Sequence, residues 1–594
     1  MKQDILFIFA LFFAASFANA EMRYEAEDAI QENDHDIEVV SLNSASGGEY
    51  VKMNGGTLVF TVNMDSAGFY TLWMNYGQPN DSNGKIQNLS IGTSLSDTAS
   101  VGQISFPYTE TWVYTKASRK IKLAKGTNVI CIVKSWGWVN LDYIEITPFE
   151  STPFEIPKTM VTDASESAKK IFSFLLENFG NHIVSGVMTN TVMQNDGHYT
   201  PDTMENQTEI AWINSVSGKM PALIGLDFLH ATGLNSTSEW HQGYTKAVVS
   251  LAKTVFRRGG IPAMNWHWKD PTDSVEAFYT ASSGNTPYTT FNLNNAFVDS
   301  TTYAEWDTTS REYKAIIQDM DVVAGYLKDL QDSGVAILWR PLHEASGKWF
   351  WWGYRGAGAA KALYKLMFNR FTNTHGLNNL IWVWTTDEAG DALNWYPGDG
   401  YVDIIGRDYY YYPRIANHSS LMSSFENLKD MYGAKKLIAL SENGSVPYPD
   451  NLVADAAGWS YFMPWYGDYT MDGWAHDNTA KDWNIIMNHD YVITLDKMPG
   501  WDTYVPGTIA IPQGTKAKSI QLQVFENSFV LTLSQTAFVN ASIFSLDGKK
   551  ARTLLKGTIA KGTCEIPISQ LSKGKYILRV TENGKISSEY LTIR

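Results

Sequence analysis

The sequence has few cysteines. Its 594 residues include two, Cys131 and Cys564, and neither stands at the spacing of a metal site or a thiol redox motif. We assign them to different domains, so we expect no disulfide between them, even in a compartment that permits one. Large apolar cores are therefore expected to hold the chain together.

Positive charge is scarce as well. The chain has 47 Lys and Arg against 62 Asp and Glu, which gives a formal net charge of −15. Because contacts to phosphate need a basic surface, this balance argues against nucleic acid or an anionic membrane as a partner.

Long apolar runs are nearly absent. The one clear example, residues 5–17, follows Met1-Lys2 and precedes the small residues Ala18-Asn19-Ala20. This order predicts a secretory signal peptide over residues 1–20, and the run is short for a membrane span. We expect a secreted protein, extracellular or at the cell surface, without membrane insertion. Asp4 weakens the charged start, so an uncleaved anchor stays open.

Aromatic residues, in contrast, are abundant. Phe, Trp and Tyr make up 13% of the chain, and 21 residues are Trp. Tryptophan at this density indicates flat platforms for sugar rings, and buried Trp in barrel and sandwich cores is the equally weighted alternative. A chain of this length and composition is expected to contain roughly three or four globular domains.

Strand and turn patterns divide the chain into three predicted domains. Residues 21–148 contain short strands separated by Gly- and Asn-rich turns, which predicts an N-terminal β-sandwich. A proline-containing connector, residues 149–158, leads to residues 159–501, where strands alternate with helices as in a (β/α)8 TIM barrel. After a linker near residues 502–518, the short alternating strands of residues 519–594 predict a small C-terminal β-sandwich.

The predicted barrel has eight strand-like runs. They are His182–Met188, Ala222–Leu229, Gly260–His267, Val335–Glu344, Leu380–Thr386, Val402–Tyr410, Lys436–Asn443 and Trp459–Tyr466. In such a barrel the carboxyl ends of the strands meet at one face and carry the chemistry. Residues at these ends are therefore the candidates for a functional site.

Two glutamates stand at such strand ends. Glu344 ends the fourth run and Glu442 lies near the end of the seventh, so both are expected to face the same bowl. Hydrolysis of a glycosidic bond is usually carried out by two carboxyl groups that flank it. Four aromatics at residues 349–352 offer flat faces to a sugar. A zinc-protease interpretation of His343-Glu344 fails, because no second His follows at the required helical spacing.

The motifs Arg340-Pro341-Leu342-His343-Glu344 and Trp349-Phe350-Trp351-Trp352-Gly353 resemble those of glycoside hydrolase family 26, a family dominated by β-mannanases. The resemblance covers about residues 160 to 500. It implies a retaining mechanism with Glu344 as the acid/base and Glu442 as the nucleophile, and no catalytic cofactor. His343 favours this family, since most related families have Asn before the acid/base.

The resemblance also implies substrate contacts near the two glutamates. The substrate-binding candidates are His267, His343, Trp349, Tyr410, Trp465 and Arg340. Tyr409 is the alternative to Tyr410, and Arg340 is expected to help keep Glu442 ionised. Ala345 and Ser346 stand where many members have Met and Asn, which leaves the contacts just after the acid open.

The N-terminal module carries a second resemblance. Its ends, Tyr24–Asp28 and Trp136–Glu145, resemble carbohydrate-binding modules of families 6 and 35. This implies a structural calcium ion held by Glu25, Glu27 and Asp142. Carboxylates at alternate strand positions project on one face and suit a hard cation, with a solvated acidic face as the alternative.

The C-terminal segment from Gly574 to Arg594 resembles the sorting domains of the type IX secretion system, with a plain β accessory domain as the alternative.

Together these patterns predict a secreted, monomeric, retaining endo-β-1,4-mannanase that hydrolyses mannan, glucomannan or galactomannan. A mixed-linkage β-glucanase or β-1,3-xylanase of the same fold is the closer alternative. A non-catalytic glycan-binding protein would need one carboxylate to be absent or turned away.

Overall fold

The structure is a computed structural model. It describes residues 22–32, 36–79, 85–149, 152–190, 203–232, 238–272, 274–411, 414, 416–507, 520–524, 528–533, 537–545, 550–559, 562–568, 571–572, 574–582 and 585–593. The predicted signal peptide lies outside these residues.

The N-terminal part is a sandwich of two antiparallel sheets. Its strands are β1 (Met22–Glu25), β2 (Ile30–Glu32), β3 (Ile37–Ser41), β4 (Glu49–Met53), β5 (Thr57–Met64), β6 (Gly68–Gly77), β7 (Lys85–Gly92), β8 (Ala99–Phe106), β9 (Val113–Leu123), β10 (Gly126–Trp136) and β11 (Val139–Pro148). One sheet has the order β3-β4-β11-β6-β9 with β1 beside β11, and the other has the order β2-β5-β10-β7-β8. Alternate residues such as Leu72 and Ile130 fill the space between the sheets, which confirms the predicted β-sandwich.

The central part is a parallel β/α barrel. Its strands are β12 (Ile183–Val184), β13 (Gly186–Met188), β14 (Leu223–Asp227), β15 (Ile261–Asn265), β16 (Ile337–Arg340), β17 (Leu380–Thr386), β18 (Ile404–Tyr409), β19 (Leu437–Asn443), β20 (Phe462–Pro464) and β21 (Val492–Ile493). Strands β13 to β20 form one sheet in chain order, and β12 pairs with β21. Each of the eight predicted runs contains one strand of this eight-stranded sheet, so the predicted barrel is confirmed.

Helices surround the barrel strands. They are α1 (Glu166–Asn178), α2 (Thr208–Ser217), α3 (Glu239–Arg257), α4 (Arg311–Asp332), α5 (Trp351–Tyr354), α6 (Ala357–Asn369), α7 (Ala392–Trp395), α8 (Met422–Met431), α9 (Pro449–Asp455) and α10 (Ala480–Met487). Helix α4 starts at the cap Ser310, whose hydroxyl accepts a hydrogen bond from the Tyr313 amide. Such a cap satisfies one of the free amides of the first turn. Strand β17 is buried along its whole length, as expected for a strand covered on both faces.

A close backbone approach joins the first and last strands of the barrel. The amide of Val184 donates a hydrogen bond to the carbonyl of Ser460 over 3.0 Å. A Cβ atom at Gly186 would lie 2.3 Å from the carbonyl oxygen of Phe462. The barrel therefore closes at a position where only glycine fits.

The sandwich packs against the barrel through β9 and α8. Lys120 of β9 and Glu426 of α8 form a buried ion pair with an N···O distance of 2.9 Å, and Lys116 pairs with Asp430 nearby. In the connector, the ring of Phe154 packs against Phe425 of the same helix. These contacts hold the module against the outside of the barrel.

The C-terminal part forms two further sheets. Its strands are β22 (Ile520–Val524), β23 (Ser528–Leu533), β24 (Ala537–Ser545), β25 (Lys550–Ile559), β26 (Gly562–Pro567), β27 (Gly574–Glu582) and β28 (Lys585–Ile593). Residues of both sheets, including Phe529 and Ile543, share one core, which confirms a small β-sandwich.

Cys131 and Cys564 are both free thiols, in the first and last of the three parts. Across the described ranges, no helix is long and apolar enough to cross a membrane.

Candidate active site

The loop after β16 presents the first candidate group. Glu344 adopts a left-handed backbone conformation with φ of 52°, and Leu342 does the same with φ of 52°. Non-glycine residues rarely adopt this conformation, and it is concentrated at functional sites. The two residues turn the chain away from the strand, and the Glu344 carboxyl group lies at the edge of the barrel bowl.

A buried guanidinium lies at the centre of the site. Arg340, the last residue of β16, is 2% exposed. Its Nη2 donates to Glu442 over 2.6 Å and its Nη1 to Asp408 over 2.7 Å. Its Nε donates to the side chain of Asn265 at the end of β15 over 3.0 Å. One cation therefore bonds to side chains of strands β15, β18 and β19.

Glu442 is held as an acceptor on both carboxylate oxygens. Besides the bond from Arg340, it accepts a hydrogen bond of 2.6 Å from the hydroxyl of Tyr410. Burial and the neighbouring carboxylate of Glu442 raise the pKa of Tyr410 well above its usual range, so this hydroxyl keeps its proton. Two donors therefore hold the Glu442 carboxylate in a fixed orientation.

Glu344 has the opposite environment. It accepts one hydrogen bond of 3.0 Å, from the indole nitrogen of Trp349. Burial raises the pKa of Glu344 well above its ordinary value, and the charges of Glu442 and Asp408 add to this effect. One carboxylate oxygen from each of Glu344, Asp408 and Glu442 lies within 4.8 Å of the others. The surroundings of Glu344 therefore favour its protonated form.

Two histidines line the bowl next to these acids. Nε2 of His343 lies 3.2 Å from Nε2 of His267, and Asp227 of β14 holds the other ring nitrogen of His267. Burial, together with the charge of Arg340, lowers the pKa of His343 well below its usual value. His343 is therefore neutral and suited to hydrogen bonding. The ring of Trp465 packs against that of His267, with centroids 5.7 Å apart.

The structure brings all the predicted catalytic and substrate-binding residues into this one site. Of the two tyrosine alternatives, Tyr410 bonds to Glu442, whereas the Tyr409 ring packs against Tyr411. Sequence reasoning missed Asp408, Asn265 and Asp227. All three lie at the carboxyl ends of predicted strands, which is the signal by which they are recognisable.

A carboxyl group with a raised pKa, a second carboxyl group fixed beside it and a wall of aromatic rings suit the cleavage of a glycosidic bond. Fold and site together define a barrel enzyme of the glycoside hydrolase class. Residues 160–497 match the model of glycosyl hydrolase family 26, and the chain belongs to this family. Residues 22–149 match the model of the carbohydrate binding module of family 35.

The chain is similar to proteins that are named as mannanases. A mannan endo-1,4-beta-mannosidase of Thermothelomyces thermophilus is 33% identical over 67% of this chain and 75% of its own. The solved beta-mannanase from a symbiotic protist of the termite Reticulitermes speratus is 42% identical, with a TM-score of 0.53, over 59% of this chain and 100% of its own. The GH26-CBM35 beta-(1,4)-mannanase of Podospora anserina is 30% identical, with a TM-score of 0.52, over 82% of this chain and 100% of its own.

Two of the three predicted calcium ligands of the N-terminal module, Glu25 and Asp142, bond to Ser46. The Ser46 hydroxyl donates to Glu25 over 2.7 Å, and the Ser46 amide donates to Asp142 over 3.0 Å. One carboxylate oxygen of Glu25 and one of Glu27 are buried without a hydrogen-bond partner. Burial, then the charges of Glu25 and Asp142, raises the pKa of Glu27. Unpaired buried carboxylate oxygens of like charge fit a hard cation.

We expect Arg340→Met to lower the free energy of unfolding by about 3–5 kcal/mol, because it leaves two buried carboxylates without their shared counter-charge. The pKa of Asp408 is raised to about 6, chiefly by burial. A raised pKa favours the folded state at low pH, and that contribution is lost as the pH rises through 6. The defect of the variant should therefore shrink in acid, as measured by chemical denaturation at about pH 5 and about pH 8.

Arg258→Met is the matched control, since Arg258 pairs with Glu205 at the surface. An exposed pair contributes about 0–1 kcal/mol. Equal losses of stability in the two variants at the higher pH, or a defect in Arg340→Met that does not shrink in acid, would contradict the role given to Arg340.

Proposed function

We propose that this chain is a secreted endo-β-1,4-mannanase that hydrolyses mannan, glucomannan or galactomannan with retention of configuration. The observation that carries the proposal is the pair Glu344 and Glu442, with carboxylate oxygens within 4.8 Å. Retaining enzymes have carboxyl groups about 5–5.5 Å apart, whereas inverting enzymes need about 6.5–9.5 Å to admit a water molecule. The names of the relatives support mannan as the substrate.

The first step forms a glycosyl-enzyme intermediate. The ionised carboxylate of Glu442 attacks the anomeric carbon, and Glu344 gives its proton to the departing glycosidic oxygen. Arg340 and Tyr410 hold Glu442 in place as it attacks. Because its pKa is raised, Glu344 holds the proton that this step needs.

The second step releases the sugar. Glu344, now ionised, takes a proton from water, and the oxygen attacks the anomeric carbon and displaces Glu442. Trp349 and Trp465 offer flat faces to the sugar rings on either side, and His267 and His343 hydrogen-bond to hydroxyl groups. Trp349 is 37% exposed and thus accessible to substrate.

The test of the function is a comparison of polysaccharides. The chain should release reducing ends fastest from mannan, compared with mixed-linkage β-glucan and β-1,3-xylan, and should give products of several lengths. Nuclear magnetic resonance should detect the β-anomer first. A faster reaction on β-glucan or β-1,3-xylan would favour those activities of the same fold, and no product from any substrate would favour a glycan-binding protein.

Substitution of the two glutamates should separate their roles. Glu344→Gln should lose about 10²–10⁴-fold on mannan, yet release a burst of phenol from an activated aryl mannoside, because that leaving group departs without a proton. Glu442→Gln should lose both reactions, since no nucleophile remains. Stopped-flow absorbance measures the burst.

Glu239→Gln, at the exposed start of α3, is the control and should keep full activity. A Glu442→Gln variant that still released the phenol, or a Glu344→Gln variant with normal activity on mannan, would refute the assignment.

For the N-terminal module we propose a structural calcium ion held by Glu25, Glu27 and Asp142. The two unpaired buried carboxylate oxygens support this proposal. Adding calcium at roughly 100 times its Kd should stabilise the module by about 2.7 kcal/mol, and a chelator should lower its melting temperature. Calorimetry with and without chelator measures the shift.

Glu27→Gln should abolish that shift, and Glu38→Gln should keep it, because Glu38 is exposed and pairs with Lys52 on the same module. An unchanged melting temperature of the native chain in chelator would exclude the calcium ion.

We also infer an extracellular or cell-surface location and a monomeric state. The signal-like pattern of residues 1–20 and the size of the polysaccharide substrate support the location. Type IX sorting by the C-terminal sandwich stays a prediction. Fractionation of the host culture with an antibody to the chain tests the location, and gel filtration tests the monomeric state.

A further inference from the structure

Among the described residues, Trp474 has the most exposed tryptophan side chain. It lies in the loop after β20, on the face of the barrel that carries the catalytic groups. Its side chain is 70% exposed, compared with 37% for Trp349 and 38% for Trp240. A flat indole in water suits stacking on a sugar ring, since aromatic rings gain from covering apolar surface.

A chain of packed side chains leads from the catalytic centre to Trp474. Tyr410, which bonds to Glu442, packs on Tyr469 with ring centroids 5.1 Å apart. The guanidinium of Arg414 lies 3.6 Å from the centroid of Tyr469 and 5.0 Å from that of Trp474. Trp474 therefore stands on the Glu442 side of the cleft, beyond the groups that contact the cleavage point.

The backbone around Trp474 is held in an unusual conformation. Asp472 has φ of 58° and His476 has φ of 53°. The ring of His476 bonds to the carboxylate of Asp472 over 2.6 Å, and the His476 amide donates to the carbonyl of Gly473 over 2.9 Å. Strained residues persist where the surroundings enforce them, and they cluster at functional sites. This turn displays Trp474 at its tip.

Arg414 contributes an unused donor next to this indole. Its Nε donates to the buried carboxylate of Asp477 over 2.7 Å. Its Nη2 is buried and has no hydrogen-bond partner among the described residues. Buried donors are normally paired, so an unpaired one calls for an explanation such as a missing ligand. A sugar hydroxyl on the ring of Trp474 would supply that acceptor.

We propose that Trp474 and Arg414 form a distal subsite for a hexopyranose unit of the substrate chain, beyond the units next to the cleavage point. The sugar identity rests on the proposed function. Trp474 stacks on the ring, while Arg414, held by Asp477 and Tyr469, donates a hydrogen bond to a hydroxyl group. The subsite therefore increases the affinity for substrates that are long enough to reach it.

The test compares substrates of increasing length. On β-1,4-manno-oligosaccharides, Trp474→Ala should keep the kcat/KM of the native chain for the shortest one cleaved. For long oligosaccharides it should lose about tenfold, which corresponds to about 1.4 kcal/mol of binding. The loss should appear in KM rather than in kcat, because binding energy that is equal in ground and transition states acts on KM. Trp474→Phe keeps a flat ring and should recover much of the lost kcat/KM on long oligosaccharides.

Trp138→Ala is the matched control, since Trp138 is also exposed, at 42%, but lies in the N-terminal module. It should leave the kinetics on soluble oligosaccharides unchanged. The inference is overturned if Trp474→Ala shows the same dependence on length as the native chain, or if it loses activity equally at every length. If the native chain cleaves only gluco-oligosaccharides, the proposed function is wrong. The same comparison of Trp474→Ala with the native chain on gluco-oligosaccharides of increasing length then tests the subsite.

Discussion

The active site depends on one buried positive charge. Arg340 is surrounded by strands β15, β18 and β19 and neutralises two carboxylates that could not otherwise share a dry bowl. Burying charges is costly, and such a cluster is stable only when each member has its partners. The barrel supplies them at the ends of adjacent strands, which explains why this chemistry lies at that face.

The same charge separates the roles of two identical side chains. Glu442 accepts hydrogen bonds from the guanidinium of Arg340 and a tyrosine hydroxyl, whereas Glu344 accepts one from the indole of Trp349 and lies near the negative charges of its neighbours. Environment, rather than residue type, therefore raises the pKa of Glu344. Asp408 is essential to this contrast, because it shares Arg340 and also raises the pKa of Glu344.

Sequence patterns predicted the eight barrel strands and the two glutamates because buried strands and strand-end motifs are local signals. Asp408 escaped prediction for a geometric reason. The pairing of β18 with β19 shifts register between Gly406 and Asp408, so side chains beyond the shift no longer follow the simple alternation. Trp474 lies between two non-glycine residues in the left-handed conformation, Asp472 and His476, and the sequence does not mark either of them as a turn. Sequence alone marks strand ends better than the direction of each side chain.

Sugar platforms and core packing were equally weighted explanations for the abundance of tryptophan, and core packing accounts for many of these residues. Many of these residues are packing elements: Trp266, Trp268, Trp339, Trp351, Trp352, Trp382, Trp459 and Trp483 are fully buried. Of the run after Glu344, Trp349 is exposed at the cleft and Trp352 donates from the core to the carbonyl of His343. The buried indole of Trp352 thus bonds to the backbone of the loop that carries Glu344, whereas the ring of Trp349 is partly exposed. The composition is typical of carbohydrate-binding proteins, but the position of each ring relative to the two glutamates is the stronger evidence for a sugar-binding site.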